Sequence, residues 1–328
     1  MSLESPFIPN RFTRLQFSAF NPSYIQLINH ISRYCHPDHT YKRLKMFCRS
    51  LLWSKLSGRW FQQVACSPVL SELVRQEKSL PDKLYRHLLR LDHSIDQRAK
   101  ILGDHYTVIE NILESRLMQQ ILVNGGLTIT RLDITAEHSF ELVLRYGGYP
   151  GKEGELAFFW QQTGDFPFLA RVSFTLIPQD GHLSIYIGGI QGPAVENARK
   201  MVAEASKLCS GLSPKRIALE GVFAFAKHIG ADTILGVSDA HHISRKKNSK
   251  YFSYDAYWLE LGGQRNKQDD YELPPQPLHK PFHETPTKRR AKYRRQHSYL
   301  EFIHNDALKA LNSATDRIEI PQNCGAAS

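Results

Sequence analysis

Residues 213–237, SPKRIALEGVFAFAKHIGADTILGV, constrain this chain more than any other stretch. Ser213 supplies an N-cap oxygen, Pro214 suits the first helical position, and Gly230 stands where a left-handed residue ends a helix. The helix so bounded runs into Thr233–Val237, a short apolar run that reads as a buried strand. A strand reached through a helix of this length joins its sheet in parallel, because the crossover carries the chain back to the end it started from.

The residues before this crossover have a period of two. LTITRLDIT and SFELVLRYG flank Ala136-Glu137-His138, and ELAFFWQQ, FLARVSFTLIP and HLSIYIGGIQG follow. Asp180-Gly181 between the last two is a hairpin signal, since both residues tolerate positive φ. Ala170, Val172, Phe174 and Leu176 alternate with Arg171, Ser173 and Thr175, so the strand buries one face. These five runs predict an antiparallel meander. VENARKMVAEASKLC then reads as a helix, YDAYWLELGGQ as a short helix stopped by Gly262-Gly263, and DDYELPPQP as a last strand broken by prolines.

Residues 20–122 read mostly as helices. YKRLKMFCRSLLWSKL (41–56) places Leu44, Phe47, Leu51 and Leu52 on one face, and a longer helical pattern runs from Ser94 to Leu122. From Pro274 a proline-rich linker, PPQPLHKPFHETP, leads to TKRRAKYRRQHSYLEFIHNDALKALNSA, a helix with Lys288, Arg289, Arg290, Lys292, Arg294 and Arg295 crowded into its first half. The expected class is α+β, with a basic helical region (1–123), a mixed and mostly antiparallel sheet with flanking helices (124–275), and the linker with a basic helix (276–328).

With 328 residues, 41% of them hydrophobic, the chain has enough apolar side chains for a sizeable core. No unbroken apolar span approaches the ~18 residues of a membrane helix, and MSLESPFIPNRFTRLQF is unlike a secretory signal. The five cysteines are scattered and odd in number, which fits a reducing compartment. We expect a cytoplasmic protein. Cys35, His36, Asp38 and His39 lie together in CHPDH, but no second pair completes a ligand set, so no metal is expected. The net charge of +10 points to an anionic partner: a phosphate-bearing cofactor, an acidic carrier protein or an anionic lipid. The basic terminal helix lacks interleaved aromatics, and no helix-turn-helix or finger spacing occurs, which argues against sequence-specific reading of nucleic acid.

Three stretches carry candidate chemistry. Lys215 and Arg216 lie in the first turn beginning at Ser213, where cations oppose the helix dipole, so they either hold an anion or reach into solvent. Gly188 and Gly189, with Gln191, interrupt a strand and mark a bulge, tight packing or a close approach to a ligand. LGVSDAHHIS (235–244) ends the crossover strand, where open α/β sheets meet ligands. Its Ser238, Asp239, His241 and His242 are too close in sequence for a triad. His242 remains a candidate base or hydrogen-bond donor.

Two resemblances add to this reading. SPKRIALEGVFAFAKHIGADTILGVSDAHHISR, YDAYWLELGG and TKRRAKYRRQHSYL together resemble the VirK/YbjX family of enterobacterial proteins, over most of the chain. That resemblance implies association with virulence, envelope integrity and resistance to antimicrobial peptides. The meander, the crossover and YDAYWLELGG followed by YELP also resemble a GNAT-type acyltransferase. This likeness implies an acyl-CoA or acyl-carrier donor, with Ser213, Lys215 and Arg216 at its phosphates and Gly188, Gly189 and Gln191 beside its pantetheine arm. Asp239 or His242 would then act as base, and Tyr254 or Tyr257 as acid. SPKR departs from that family's glycine-rich phosphate loop, and the helix 195–209 is extra. The expected activity is acyl transfer to a lipid or protein at the inner face of the envelope. The alternative is a non-enzymatic basic factor that binds membrane, nucleic acid or a protein partner on the same scaffold.

Overall fold

The computed structural model describes residues 20–148, 151–164, 166–244, 252–276 and 287–315. The linker read from Pro274 falls largely outside them.

The meander forms as its alternation predicts: β1 (Leu127–Asp133), β2 (Ser139–Tyr146), β3 (Leu156–Gln162), β4 (Phe168–Gln179) and β5 (His182–Gln191) pair antiparallel in sequence order. The chain then passes through α7 (Ala198–Leu208) and α8 (Pro214–Ile229) to β6 (Thr233–Gly236), which joins β5 in parallel. Ser213 caps α8 by accepting from the Arg216 amide at 3.2 Å, and Gly230 ends it with φ 66°. After α9 (Tyr254–Glu260) come β7 (Gln264–Arg265), too short to announce itself in the sequence, and β8 (Tyr271–Leu273). The eight strands lie in the order β1-β2-β3-β4-β5-β6-β8-β7, so the last hairpin inserts its second strand next to β6. The class is α+β.

Two helical layers enclose the sheet. Phe174 and Thr175 are successive residues of β4 and so point to opposite faces. Phe174 stacks on Phe158 at 5.7 Å and meets Phe225 of α8 at 5.7 Å. Gly221 lets α8 approach closely, since a Cβ there would come within 2.7 Å of the Phe158 ring. α10 (Thr287–Thr315) packs over α8 and β1. On the Thr175 face lie α5 (Ile95–Ile112), packed on β4, and α6 (Ser115–Leu122), packed on β2. β3 stops at Leu156, so the Leu176 amide has no strand partner on that side, and His105 of α5 accepts it through Nδ1 at 3.1 Å. Buried side chains from the first helix to α10 form one continuous core.

The N-terminal helices are α1 (Pro22–Cys35), α2 (Thr40–Leu52), α3 (Ser54–Cys66) and α4 (Pro68–Gln76), followed by a 3-10 turn at Leu80–Tyr85. Two expectations need correction. The stretch 41–56 is broken at Trp53, and its inward face carries Met46 and Ser50, while Leu44 and Leu52 are exposed. The inner side is anchored by polarity: the Tyr85 hydroxyl meets Ser50 Oγ and Ser57 Oγ, each at 2.7 Å. The pattern from Ser94 to Leu122 is likewise two helices, because Leu113 and Glu114 are extended. Among the described residues no helix is long and apolar enough to cross a membrane.

The contrast between core and surface is measurable. Phe158→Ala should lower unfolding free energy by about 3–5 kcal/mol in urea denaturation. Leu44→Ala, at a position the helical pattern would have buried, should change it by less than ~0.5 kcal/mol.

Candidate functional site

β5 outruns its parallel partner. The ladder with β6 ends at Ile187↔Gly236, and the last bond runs from the Val237 amide to the Ile187 carbonyl at 3.0 Å. Past that point β5 also shifts register against β4, where Ser173 faces Gly189 but Phe174 faces Ile187. Gly188 is thus the extra residue of a bulge. A Cβ on Gly188 would lie 2.3 Å from the Glu153 carbonyl oxygen, and one on Gly189 would lie 2.2 Å from the Glu153 carboxylate. The two glycines leave room for Glu153.

Glu153 is 5% exposed, on the loop that leads into β3. Its Oε1 lies 3.4 Å from Nε2 of His242, and its Oε2 lies 3.9 Å from Nη2 of Arg171. These are electrostatic contacts, and Glu153 Oε2, His242 Nε2 and Arg171 Nε are all buried without a hydrogen-bond partner. His242 Nδ1 accepts the Ser244 amide at 3.3 Å, which leaves its proton on Nε2, toward Glu153. His242 therefore faces the acid as a donor.

Tyr254 occupies the split itself. Its hydroxyl accepts from the Ile190 amide at 2.9 Å and donates to the Ile190 carbonyl at 3.3 Å, and its ring stacks on His242 at 4.5 Å. Burial, followed by the nearby Glu153 charge, raises its pKa above the usual phenol value. Asp239 holds Tyr254 in place. Its carboxylate accepts the Tyr254 amide at 2.8 Å and the Ser253 hydroxyl at 2.6 Å, while the Asp239 amide donates to Asp255 at 2.8 Å. Both Asp239 oxygens are engaged at the start of α9.

The rest of the 235–244 stretch is tied down by Asp270. This buried carboxylate accepts from the Ser238 amide at 2.9 Å, the Tyr186 hydroxyl at 2.7 Å and Arg90 Nη1 at 2.6 Å. His241 Nδ1 lies 3.1 Å from Ser238 Oγ and 3.2 Å from Asp270 Oδ1. One nitrogen faces both partners, and the other lies 3.9 Å from Asp92, beyond hydrogen-bond distance, so no Ser-His-Asp relay forms.

The α8 terminus forms an adjoining group. Lys215 Nζ lies 3.7 Å from the centroid of the Phe252 ring, and burial lowers its pKa. Arg216 pairs with Glu220 at 2.7 Å, and Glu220 also meets His304 of α10 at 2.8 Å. Arg216 Nη2 and the Tyr257 hydroxyl are buried without a hydrogen-bond partner. Phe252 touches Tyr254 at 5.0 Å and Tyr257 at 5.3 Å, which links this group to the split. Gln191 lies opposite Arg171 in the β4–β5 register.

The residues that sequence reasoning missed lie around the 151–155 loop. Beside Glu153, fully buried Glu155 accepts from Lys83 at 2.7 Å and from the Tyr106 hydroxyl at 2.6 Å. Burial pulls the Lys83 pKa down, but Glu155 and Tyr146 outweigh it and leave the ammonium above its usual value. The available signal was GKEGE itself, two acids bracketed by glycines at the entry to an apolar strand. Among the described residues no group of three His, Cys, Asp or Glu side chains could hold a metal ion. Of CHPDH, Cys35 and His36 are buried, while Asp38 and His39 are exposed.

Comparisons with known proteins extend this picture. Residues 36–309 match the family described as "Protein of unknown function (DUF535)". The uncharacterized protein YbjX of Escherichia coli K12 is 30% identical over 267 residues, covering 80% of this chain and 81% of YbjX. Two uncharacterized proteins of Haemophilus influenzae Rd are also similar. One is 31% identical over 36% of this chain and 40% of its own length, the other 25% identical over 63% and 69%. No solved structure matches the chain significantly.

Two measurements test the buried polar layer. Lys83→Met strands the Glu155 carboxylate and should cost about 3–5 kcal/mol in urea denaturation, and adding Glu155→Gln should restore part of that loss. His105 has its pKa lowered to about 3 by burial and, secondarily, by Lys83. The unfolded chain therefore binds a proton that the folded chain refuses between about pH 6.5 and pH 3. Stability should fall as pH drops through that window, by up to ~1.4 kcal/mol per unit from this residue. His105→Gln should remove that part of the slope.

Proposed function

The chain belongs to the DUF535 family, that of VirK and YbjX, and from its site we propose that it transfers an acyl group from a thioester donor at the β5–β6 split. One observation carries this reading. A proton-bearing phenol, Tyr254, lies on the buried Ile190 amide beside the parallel split, close to a buried acid, Glu153, that has one unpaired oxygen. The strand order, with its crossover and inverted terminal hairpin, supports a GNAT-type arrangement. Fold likeness alone does not carry an activity.

In this reading Glu153 takes the proton of the acceptor nucleophile, which attacks the thioester carbonyl carbon. The C–S bond breaks, and Tyr254 gives its proton to the departing thiolate. A backbone amide at the bulge holds the oxyanion. Asp239 positions Tyr254, and His242 donates toward Glu153, so neither serves as the base. Lys215, at the capped start of α8, is the cation nearest the donor phosphates, with Arg216 contributing its free Nη2. The donor is an acyl-CoA or an acyl-carrier protein. Acylation of an envelope component would account for the antimicrobial-peptide resistance that the family resemblance implies.

A second reading has its own observation. The Tyr254 hydroxyl already satisfies the Ile190 amide, and Glu153 fills the space beside Gly188 and Gly189. A scaffold so closed would suit a non-enzymatic factor.

Thermal shift and thiol release with acetyl-CoA, long-chain acyl-CoA and acyl-carrier protein separate the two. A donor should raise Tm, because it binds only the folded chain. Glu153→Gln and Tyr254→Phe should each slow thiol release by about 10²–10⁴-fold while the donor-induced shift persists. Lys215→Ala should reduce that shift. If no donor changes Tm or releases thiol, acyl transfer is refuted and the closed-scaffold reading stands.

A further inference from the structure

The outward stripe of α2 follows helical spacing. Tyr41, Leu44, Lys45, Cys48 and Leu52 fall on one face at i, i+3, i+4, i+7 and i+11. Tyr41 is 74% exposed, Leu44 60% and Leu52 72%. Three large apolar side chains exposed along one helix face, with Lys45 among them, form a candidate contact surface. Beside it, between α1 and α2, runs a groove of about 530 Å³ lined by Ile25, Arg33, Arg43, Leu44 and Phe47. The charge around it is one-sided. From Pro22 to Ser71 there are three lysines (42, 45, 55) and four arginines (33, 43, 49, 59) against a single acid, Asp38.

We infer that α1 and α2 dock this protein on an anionic bilayer surface, with Tyr41, Leu44 and Leu52 entering the headgroup region and Lys42 and Lys45, joined by Lys55 at the start of α3, facing lipid phosphates. Charge alone would suit a nucleic acid equally well. Exposed aliphatic side chains among the cations distinguish the two, because phosphodiester backbones give a leucine nothing to enter, whereas an interfacial helix is built from an apolar face flanked by Lys and Arg. The stripe is a surface feature by construction. The inner side of α2 is committed to Tyr85 through Ser50, while Leu44 and Leu52 stay exposed on its outer side. The inference does not depend on acyl transfer.

The test is co-sedimentation of the full chain with vesicles of phosphatidylcholine alone or mixed with phosphatidylglycerol. Binding should require the anionic lipid and weaken as salt rises. Lys42→Ala with Lys45→Ala should reduce the partition coefficient about fivefold per cation. Leu44→Gln with Leu52→Gln should reduce it about tenfold per leucine. These positions are exposed, so both variants should keep the parental Tm. Arg289→Ala with Arg295→Ala on α10 should bind as the parent does. The proposal fails if the parent ignores anionic vesicles, or if the α2 variants bind unchanged. It also fails if the α10 variant alone loses binding, or if the α2 cations matter for duplex DNA and not for vesicles.

Discussion

Two carboxylates separated by one residue, Glu153 and Glu155, join the helical layer to the sheet. Both are buried, and an uncompensated charge at such a position costs several kcal/mol. Glu155 is compensated by Lys83 and Tyr106, which fixes the 3-10 turn and α5 against the start of β3. Glu153 has looser company, His242 at 3.4 Å and Arg171 at 3.9 Å, and each of the two acids keeps one oxygen without a hydrogen-bond partner. Hydrogen bonds hold one acid of the pair, and only longer charge contacts hold the other. The bare backbone at Gly188 and Gly189 is what admits the second acid to the strand.

Around Glu153 the electrostatics diverge in a useful way. Burial and Glu153 together keep the Tyr254 phenol protonated, while the tautomer of His242 set by the Ser244 amide directs a proton toward Glu153 and not away from it. A phenol that burial keeps protonated thus stands beside a buried carboxyl within one group. Asp239 contributes by geometry alone: with both oxygens committed to the first turn of α9, it sets where Tyr254 stands.

Much of the fold was legible because local signals and tertiary packing agreed. The Ser213 cap, Gly230 and the Asp180-Gly181 turn are backbone requirements that few residue types meet, and the period-two runs could be buried only as strands. Reading failed where packing used polar anchors. On α2 the inward residue is Ser50, held by Tyr85, so a search for apolar stripes picked Leu44 and Leu52, which face outward. The site divided in the same manner. Asp239 and His242 were singled out because they end a crossover strand, and Tyr254 through the acyltransferase resemblance; the fold brings the three together. Glu153 and Arg171 were missed, since their partners lie on other elements: Arg171 looked like the solvent side of a strand, yet its guanidinium lies by Glu153 and the Gly147 carbonyl. Lys83 and Glu155 are 72 residues apart in sequence, a pairing no local pattern encodes.

The 3-10 turn at Leu80–Tyr85 has a mechanical consequence. Lys83 grips the carboxylate at the sheet, and two residues later Tyr85 grips α2 and α3 through Ser50 and Ser57. So short a turn has little slack to take up strain. Outer helices and inner acid are therefore held by one short turn, which ties the position of α2 and α3 to that of the buried charge.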